Sequence, residues 1–171
     1  MSQTANLPQT NLPDCWIFDR SVIKWQRKTY VVVGVMDLLS RKSLTRDLLR
    51  PLSPKPTAAV LTSAISTYGK PPALVAGIDK IFRSPEVKAV YSQSDVWPVD
   101  LRQGKASVSI FIRSLWRNLE WEGLSWRELV DEPSFRQVVG DWLVHYNSDR
   151  PHQALGYQVP DERWRSMRYK L

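Results

Sequence analysis

From Trp16 onward the chain alternates between short β-branched runs and longer stretches with helical spacing. Thr29 to Asp37, TYVVVGVMD, is a nearly continuous apolar run of strand length, which suits a central strand covered on both faces. Trp16 to Ile23 reads as a strand before it. Lys42 to Arg50 reads as a third after a turn at Leu39-Ser40-Arg41, closing a meander. Pro51 to Pro56, PLSPKP, is a proline-rich break, after which Thr57 is expected to cap a helix. Val60, Leu61, Ala64 and Ile65 form the apolar stripe of that helix and Gly69 ends it. Ala73 to Ala76, ALVA, fits a short fourth, parallel strand, and Ser84-Pro85-Glu86 opens another helix. The spacing of Val108, Phe111, Ile112, Leu115, Trp116 and Leu119 predicts a helix over Ser107 to Glu122, with Ser109, Arg113, Arg117 and Glu120 on its opposite face. Phe135, Val138, Val139, Trp142, Leu143 and Tyr146 predict a last long helix over Ser134 to Asn147. A meander followed by helices alternating with strands implies a mixed α/β domain.

Composition narrows the class. At 171 residues and 43% hydrophobic, the chain can bury one sizeable core. Residues 1–14, polar and carrying Pro8 and Pro13, read as a flexible lead-in, and residues 15–171 as one core ending in a helical tail. No apolar run approaches the roughly 20 residues of a membrane span, and the start lacks the pattern of a signal peptide, so a cytoplasmic protein is expected. Cys15 is the single cysteine, which excludes an internal disulfide; with only His145 and His152 beside it, no four-ligand zinc site of the usual kind can form. The net charge of +7 favours contact with a polyanion without demanding it.

Four segments carry a family resemblance. HYNSDRPHQALGYQVPDERW (His145 to Trp164) resembles the end of integrase-type insertion-sequence transposases, in which tyrosine-asparagine, arginine-proline-histidine and alanine-leucine-glycine-tyrosine recur in this order. IFIRSLWRNLEWE (Ile110 to Glu122) is similar to their third catalytic segment, of the form IFIERLWRSLKYE. CWIFDRSVI with TYVVVGVMDLLSRKSL resembles their opening strands, and YGKPPALVAGIDKIFRSPE resembles the segment that carries their second aspartate. The likeness runs from about Cys15 to Trp164. It implies an RNase H-like integrase core, a mixed sheet (antiparallel meander plus parallel strands) flanked by helices. It also implies DNA transposition chemistry, in which two aspartates and a glutamate hold two magnesium ions for phosphoryl transfer.

Carried over residue by residue, that ligand set is incomplete. Asp19 falls on the first aspartate. Counting nine residues from Tyr68 puts the second on Gly77, and the glutamate falls on Arg113; the 35 residues between the two match the family's spacing. The aspartate-asparagine pair that precedes the glutamate falls on Val108-Ser109. Asp79, two residues beyond the expected place, is the substitute a gapped alignment would install. Even then Arg113 would set a cation beside the ion, a repulsion of about 4 kcal/mol per unit charge of the ion at 4 Å and an effective dielectric of 20. Glu122 matches a different family position, and Glu120 lies about 10 Å along the helix from Arg113. No metal is therefore expected, magnesium entering only if Asp19 and Asp79 are ligands. Arg113 either pairs with Asp19 at the former metal site or faces solvent.

The expectation is thus a transposase-derived core without catalysis, retaining contact with DNA or with an active transposase. One alternative is an active metal-dependent strand-transfer enzyme using Asp19 and Asp79. Another is a protein–protein module reusing the integrase dimer surface, with homodimerisation open. No segment reads as the helix-turn-helix that full transposases place ahead of the core, so DNA contact should be mainly to the backbone. Arg41, Lys42, Arg113, Arg117, Arg150, Arg163, Arg165, Arg168 and Lys170 are the phosphate-contact candidates, against a plain solvated basic face. Of the eight tryptophans, Trp116 and Trp142 belong to the core, whereas Trp25, Trp97, Trp121, Trp126 and Trp164 are open to base stacking, a partner surface or partial burial. His152 is expected to fix a turn, and Cys15 to be inert.

Overall fold

The structure, a computed structural model, describes residues 14–25, 27–99, 109–125 and 127–168; the lead-in at 1–13, Trp126, Val108 and Lys170 lie outside these. Strands β1 (Trp16–Trp25), β2 (Lys28–Asp37), β3 (Ser43–Leu49) and β4 (Leu74–Ala76) form one sheet in the order β3-β2-β1-β4. β1 and β3 flank β2 antiparallel, and β4 runs parallel to β1. The helices are α1 (Pro54–Tyr68), α2 (Pro85–Ser94), α3 (Ser109–Asn118), α4 (Glu132–Ser148) and α5 (Pro160–Arg168).

β2 is buried on both faces, as its apolar run predicts. Tyr30, Val32 and Met36 meet Ile112, Leu115 and Trp116 of α3 and Phe135, Val139 and Leu143 of α4. Val33 and Val35 meet Ala58, Leu61 and Ala64 of α1 and Val87 and Val90 of α2. The sheet is therefore the middle of three layers. Gly34 lies against the Trp116 ring of α3: a Cβ there would stand 2.7 Å from that ring and 3.2 Å from the Thr45 carbonyl oxygen. β3 is an edge strand, and α4 covers it. Asn147 bonds both the amide and the carbonyl of Ser43, at 3.0 and 2.9 Å, and Arg136 donates to the Leu48 carbonyl at 2.7 Å.

Three expected boundaries are corrected. α1 begins at Pro54, with Ser53 and not Thr57 as its cap; prolines are tolerated in a first turn, whose amides lack helical acceptors anyway. Thr57 instead donates its hydroxyl to the Ser53 carbonyl at 2.8 Å. α4 begins at Glu132, capped by the Asp131 carboxylate, which accepts from the Ser134 amide at 2.8 Å. The helix expected over Ser107 to Glu122 is described only from Ser109 and gives way at Leu119–Leu124 to a wider π turn. Within that turn the bare Cα of Gly123 lets Trp142 of α4 approach: a Cβ would meet its Cγ at 3.0 Å.

No helix among the described residues is long and apolar enough to cross a membrane. Cys15 is buried, and burial followed by the charge of Asp37 pushes its thiol up to about 11, which leaves little thiolate at neutral pH.

Candidate functional site

The site is built where β4 ends beside β1. Their parallel register pairs Phe18 with Ala76, and the Gly77 amide then donates to the Phe18 carbonyl at 2.8 Å, so Asp19 and Gly77 are neighbours. Asp19 shares a strand face with Ile17 and Ile23, the side on which α3 packs through Ile112 and Leu115. Its Oδ1 accepts from the Arg20 amide at 2.8 Å. A Cβ built on Gly77 would stand 2.2 Å from that oxygen, 2.9 Å from Asp19 Cγ and 2.7 Å from the Phe82 ring. The Asp19 carboxylate thus leans across Gly77 into the room that a side chain there would need.

Arg113 occupies the exposed side of α3, one residue after Ile112 enters the core. The three positions that the sequence resemblance equates with metal ligands therefore hold one carboxylate, one glycine and one cation. Such a donor set does not fit a pair of magnesium ions, which need several anionic oxygens in fixed geometry. Among the described residues no three His, Cys, Asp or Glu side chains gather in a way that could hold a metal.

Asp79 is committed elsewhere. It caps the 3-10 turn Lys80–Arg83, accepting from the Ile81 amide at 3.0 Å, and its other oxygen accepts from Arg20 Nε at 2.9 Å and from Arg20 Nη2. The Ile81 amide first, and then the Arg20 guanidinium, hold the Asp79 carboxyl below its usual range. By alternation along β1, Arg20 leaves the strand on the Phe18 side, where Phe18 meets Phe82 edge-on at 4.8 Å. Arg20 carries no family motif. The signal that could have found it is the parallel register itself, which carries Arg20 alongside the segment just past Gly77.

The basic candidates divide. Arg41, in a left-handed turn position (φ 63), donates to the Leu38 carbonyl at 2.7 Å and lies over the Phe111 ring at 3.8 Å. Lys42 pairs with Asp161 of α5 at 2.7 Å and stands near the rings of Tyr68 and Trp164. Arg150 makes a two-pronged pair with Glu122, at 2.8 and 2.6 Å. Arg117, Arg163 and Arg165 are exposed, Arg165 donating to the Asp161 carbonyl at 3.1 Å; the side chain of Arg168 lies outside the described residues.

Among the tryptophans, Trp116 and Trp142 are core. Trp25 stacks on Phe135 at 4.8 Å, Trp164 meets Tyr68 edge-on, and Trp97 and Trp121 are exposed. His152 closes its turn through the main chain: its carbonyl accepts from Leu155 and Tyr157 at 2.9 Å each, and its amide donates to Gln158 at 3.1 Å. Its ring packs on Tyr146 at 4.7 Å. Burial, then the charges of Arg150 and Arg41, push the imidazole down from 6.5 to about 4. The unfolded chain therefore takes up the proton first. Stability is fully present above about pH 6.5 and should fall between there and about pH 4, by at most about 1.4 kcal/mol per pH unit. Urea titrations across that range should show the slope, and His152→Gln should flatten it.

The order β3-β2-β1-β4, with its one parallel pair and helices on both faces, is the RNase H-like integrase core fold. A family model described as Integrase core domain matches residues 101–160. Among solved structures, the catalytic core domain of HTLV-2 integrase in complex with magnesium (trimeric form) superimposes with a TM-score of 0.68 at 16% identity, covering 91% of this chain and 97% of that one. The catalytic core domain of BIV integrase gives 0.70 at 11% identity, over 92% and 97%. A chain of the simian T-cell lymphotropic virus intasome in complex with PP2A regulatory subunit B56 gamma gives 0.68 at 14%, over 82% of this chain and 51% of that one. The comparison with curated proteins gives no match.

Proposed function

We propose that this chain is a catalytically silent relative of insertion-sequence transposases, in which an integrase core keeps DNA or transposase contact after losing its metal site. The observation that carries the reading is Asp19 itself: its carboxylate fills the space beside Gly77 from which a second metal-binding aspartate would project. A half-buried carboxylate favours a counter-charge, and Arg113, one turn into the helix that packs on the same strand face, is the group we assign to it. An ion pair then stands in place of the ions. The +7 charge favours contact with the DNA backbone, and a second copy of the chain or an active transposase is the protein partner of this reading. It acts in the cytoplasm, where its one cysteine stays a thiol.

Isothermal titration with magnesium and manganese tests the metal part. The native chain should take up neither ion, whereas the double variant Gly77→Asp, Arg113→Glu should bind them. Stoichiometric binding by the native chain would sink the reading and bring back Asp79 as a ligand in an active enzyme. The ion pair makes a separate prediction. Arg113→Ala should lower stability by about 1 kcal/mol, the range of partly exposed pairs, and should lose that effect in an Asp19→Asn background. An unchanged denaturation midpoint in Arg113→Ala would mean that Arg113 is merely solvated.

A further inference from the structure

Beyond the former metal site, β1 runs on to Trp25 and the π turn closes over it. Between them is a cavity of about 460 Å³ lined by Val22, Lys24, Trp25, Glu120, Leu124 and Ser125. That volume lies in the range of small-molecule sites. Its polar groups are unusual for a gap between packed elements. The Glu120 carboxyl is half-buried and has no hydrogen bond or ion pair among the described residues; the Ser125 hydroxyl reaches only the Glu120 carbonyl, at 2.6 Å. Burial raises the Glu120 carboxyl above its usual range, and no cation among the described residues offsets it. Trp25 is stacked on Phe135 with planes 2° apart, which fixes its indole as a wall. Lys24 is exposed at the rim, and Val22 and Trp121 are exposed beside the opening elements.

Each lining group matches one part of a nucleotide. A rigid indole stacks on a base whatever its identity. A carboxylate without a donor accepts from an exocyclic amino group, as on cytosine or adenine, and repels the carbonyl oxygens that thymine presents. A lysine at the rim takes the phosphate as a point charge. Val22 and Leu124 supply apolar edges.

We propose that this cavity holds an unpaired amino-bearing nucleobase against Trp25 and Glu120, with its phosphate on Lys24. The strand comes from the DNA that the proposed function assigns to the chain, and the proposal rests on that reading; a free nucleotide carries the same chemistry.

Fluorescence anisotropy with labelled oligo-dC and oligo-dT, beside calorimetric titration with dCMP and dTMP, tests it. Oligo-dC should bind about tenfold tighter than oligo-dT. Glu120→Ala should abolish that difference while leaving oligo-dT binding unchanged or tighter, and Lys24→Ala should weaken both severalfold. Both side chains lie outside the core, so the variants should fold, whereas Trp25→Ala would disturb Phe135. Equal binding of the two oligonucleotides, or a preference that survives Glu120→Ala, overturns the pocket and leaves DNA contact standing. Binding of dCMP that depends on Glu120, with no oligonucleotide bound, keeps the pocket for a free nucleotide and removes DNA contact. Binding of none of the four removes both.

Discussion

Trp116→Ala should cost about 3–5 kcal/mol of folding stability, a fall in Tm of roughly 10 °C for a chain of this size. Trp116 is 1% exposed and sits at the centre of the α3–sheet contact, beside Ile17, Met36, Ile112 and Leu115. Its indole nitrogen has no hydrogen-bond partner among the described residues. The ring therefore contributes through packing, and truncation loses both the transfer free energy and the contacts around the void. Gly34, which faces the ring, cannot refill that void. Thermal unfolding of Trp116→Ala beside Trp116→Phe checks this. The phenylalanine variant should lose far less, because it keeps most of the volume and gives up no hydrogen bond.

Gly34→Val should lower stability by about 2 kcal/mol, although local preference points the other way. In a β-strand, valine in place of glycine gains up to about 1 kcal/mol from propensity. Overpacking a closed core costs about 1–3 kcal/mol and sometimes more. Here the first added atom would already meet the Trp116 ring at 2.7 Å and the Thr45 carbonyl oxygen at 3.2 Å, and neither is the free end of a flexible chain. Packing should win. The two sites are coupled, so in a Trp116→Leu background Gly34→Ala should become neutral or stabilising. A double-mutant cycle reads that coupling directly, and additive effects would mean that the ring does not depend on the glycine.

The same glycine marks where sequence reading stops. Patterning was enough for the strands of the meander, the fourth strand and the apolar faces of α1, α3 and α4, because a period of two or of 3.6 with one buried side leaves few alternatives. It misplaced the starts of α1 and α4. Pro54 lies in the stretch read as a break, yet in a first turn it and Pro133 remove only amides that had no helical acceptor. It also missed the π turn, within which Gly123 packs on Trp142.

For the site, the structure does set Asp19 beside Gly77 and places Arg113 on α3, the helix that packs on the Asp19 face of β1. The motif spacing carries no information on where the side chains go. Only the tertiary structure decided that Asp19 leans across Gly77, that Asp79 serves Arg20 and a helical cap, and that Arg41, Lys42 and Arg150 already have partners within the chain. The cavity between Trp25 and Glu120 joins segments far apart in sequence and was likewise invisible. The physical reason is common to all of these. Periodicity records which side of an element is buried, an average over many neighbours, whereas a site depends on individual contacts between elements, which exist only after the layers have packed.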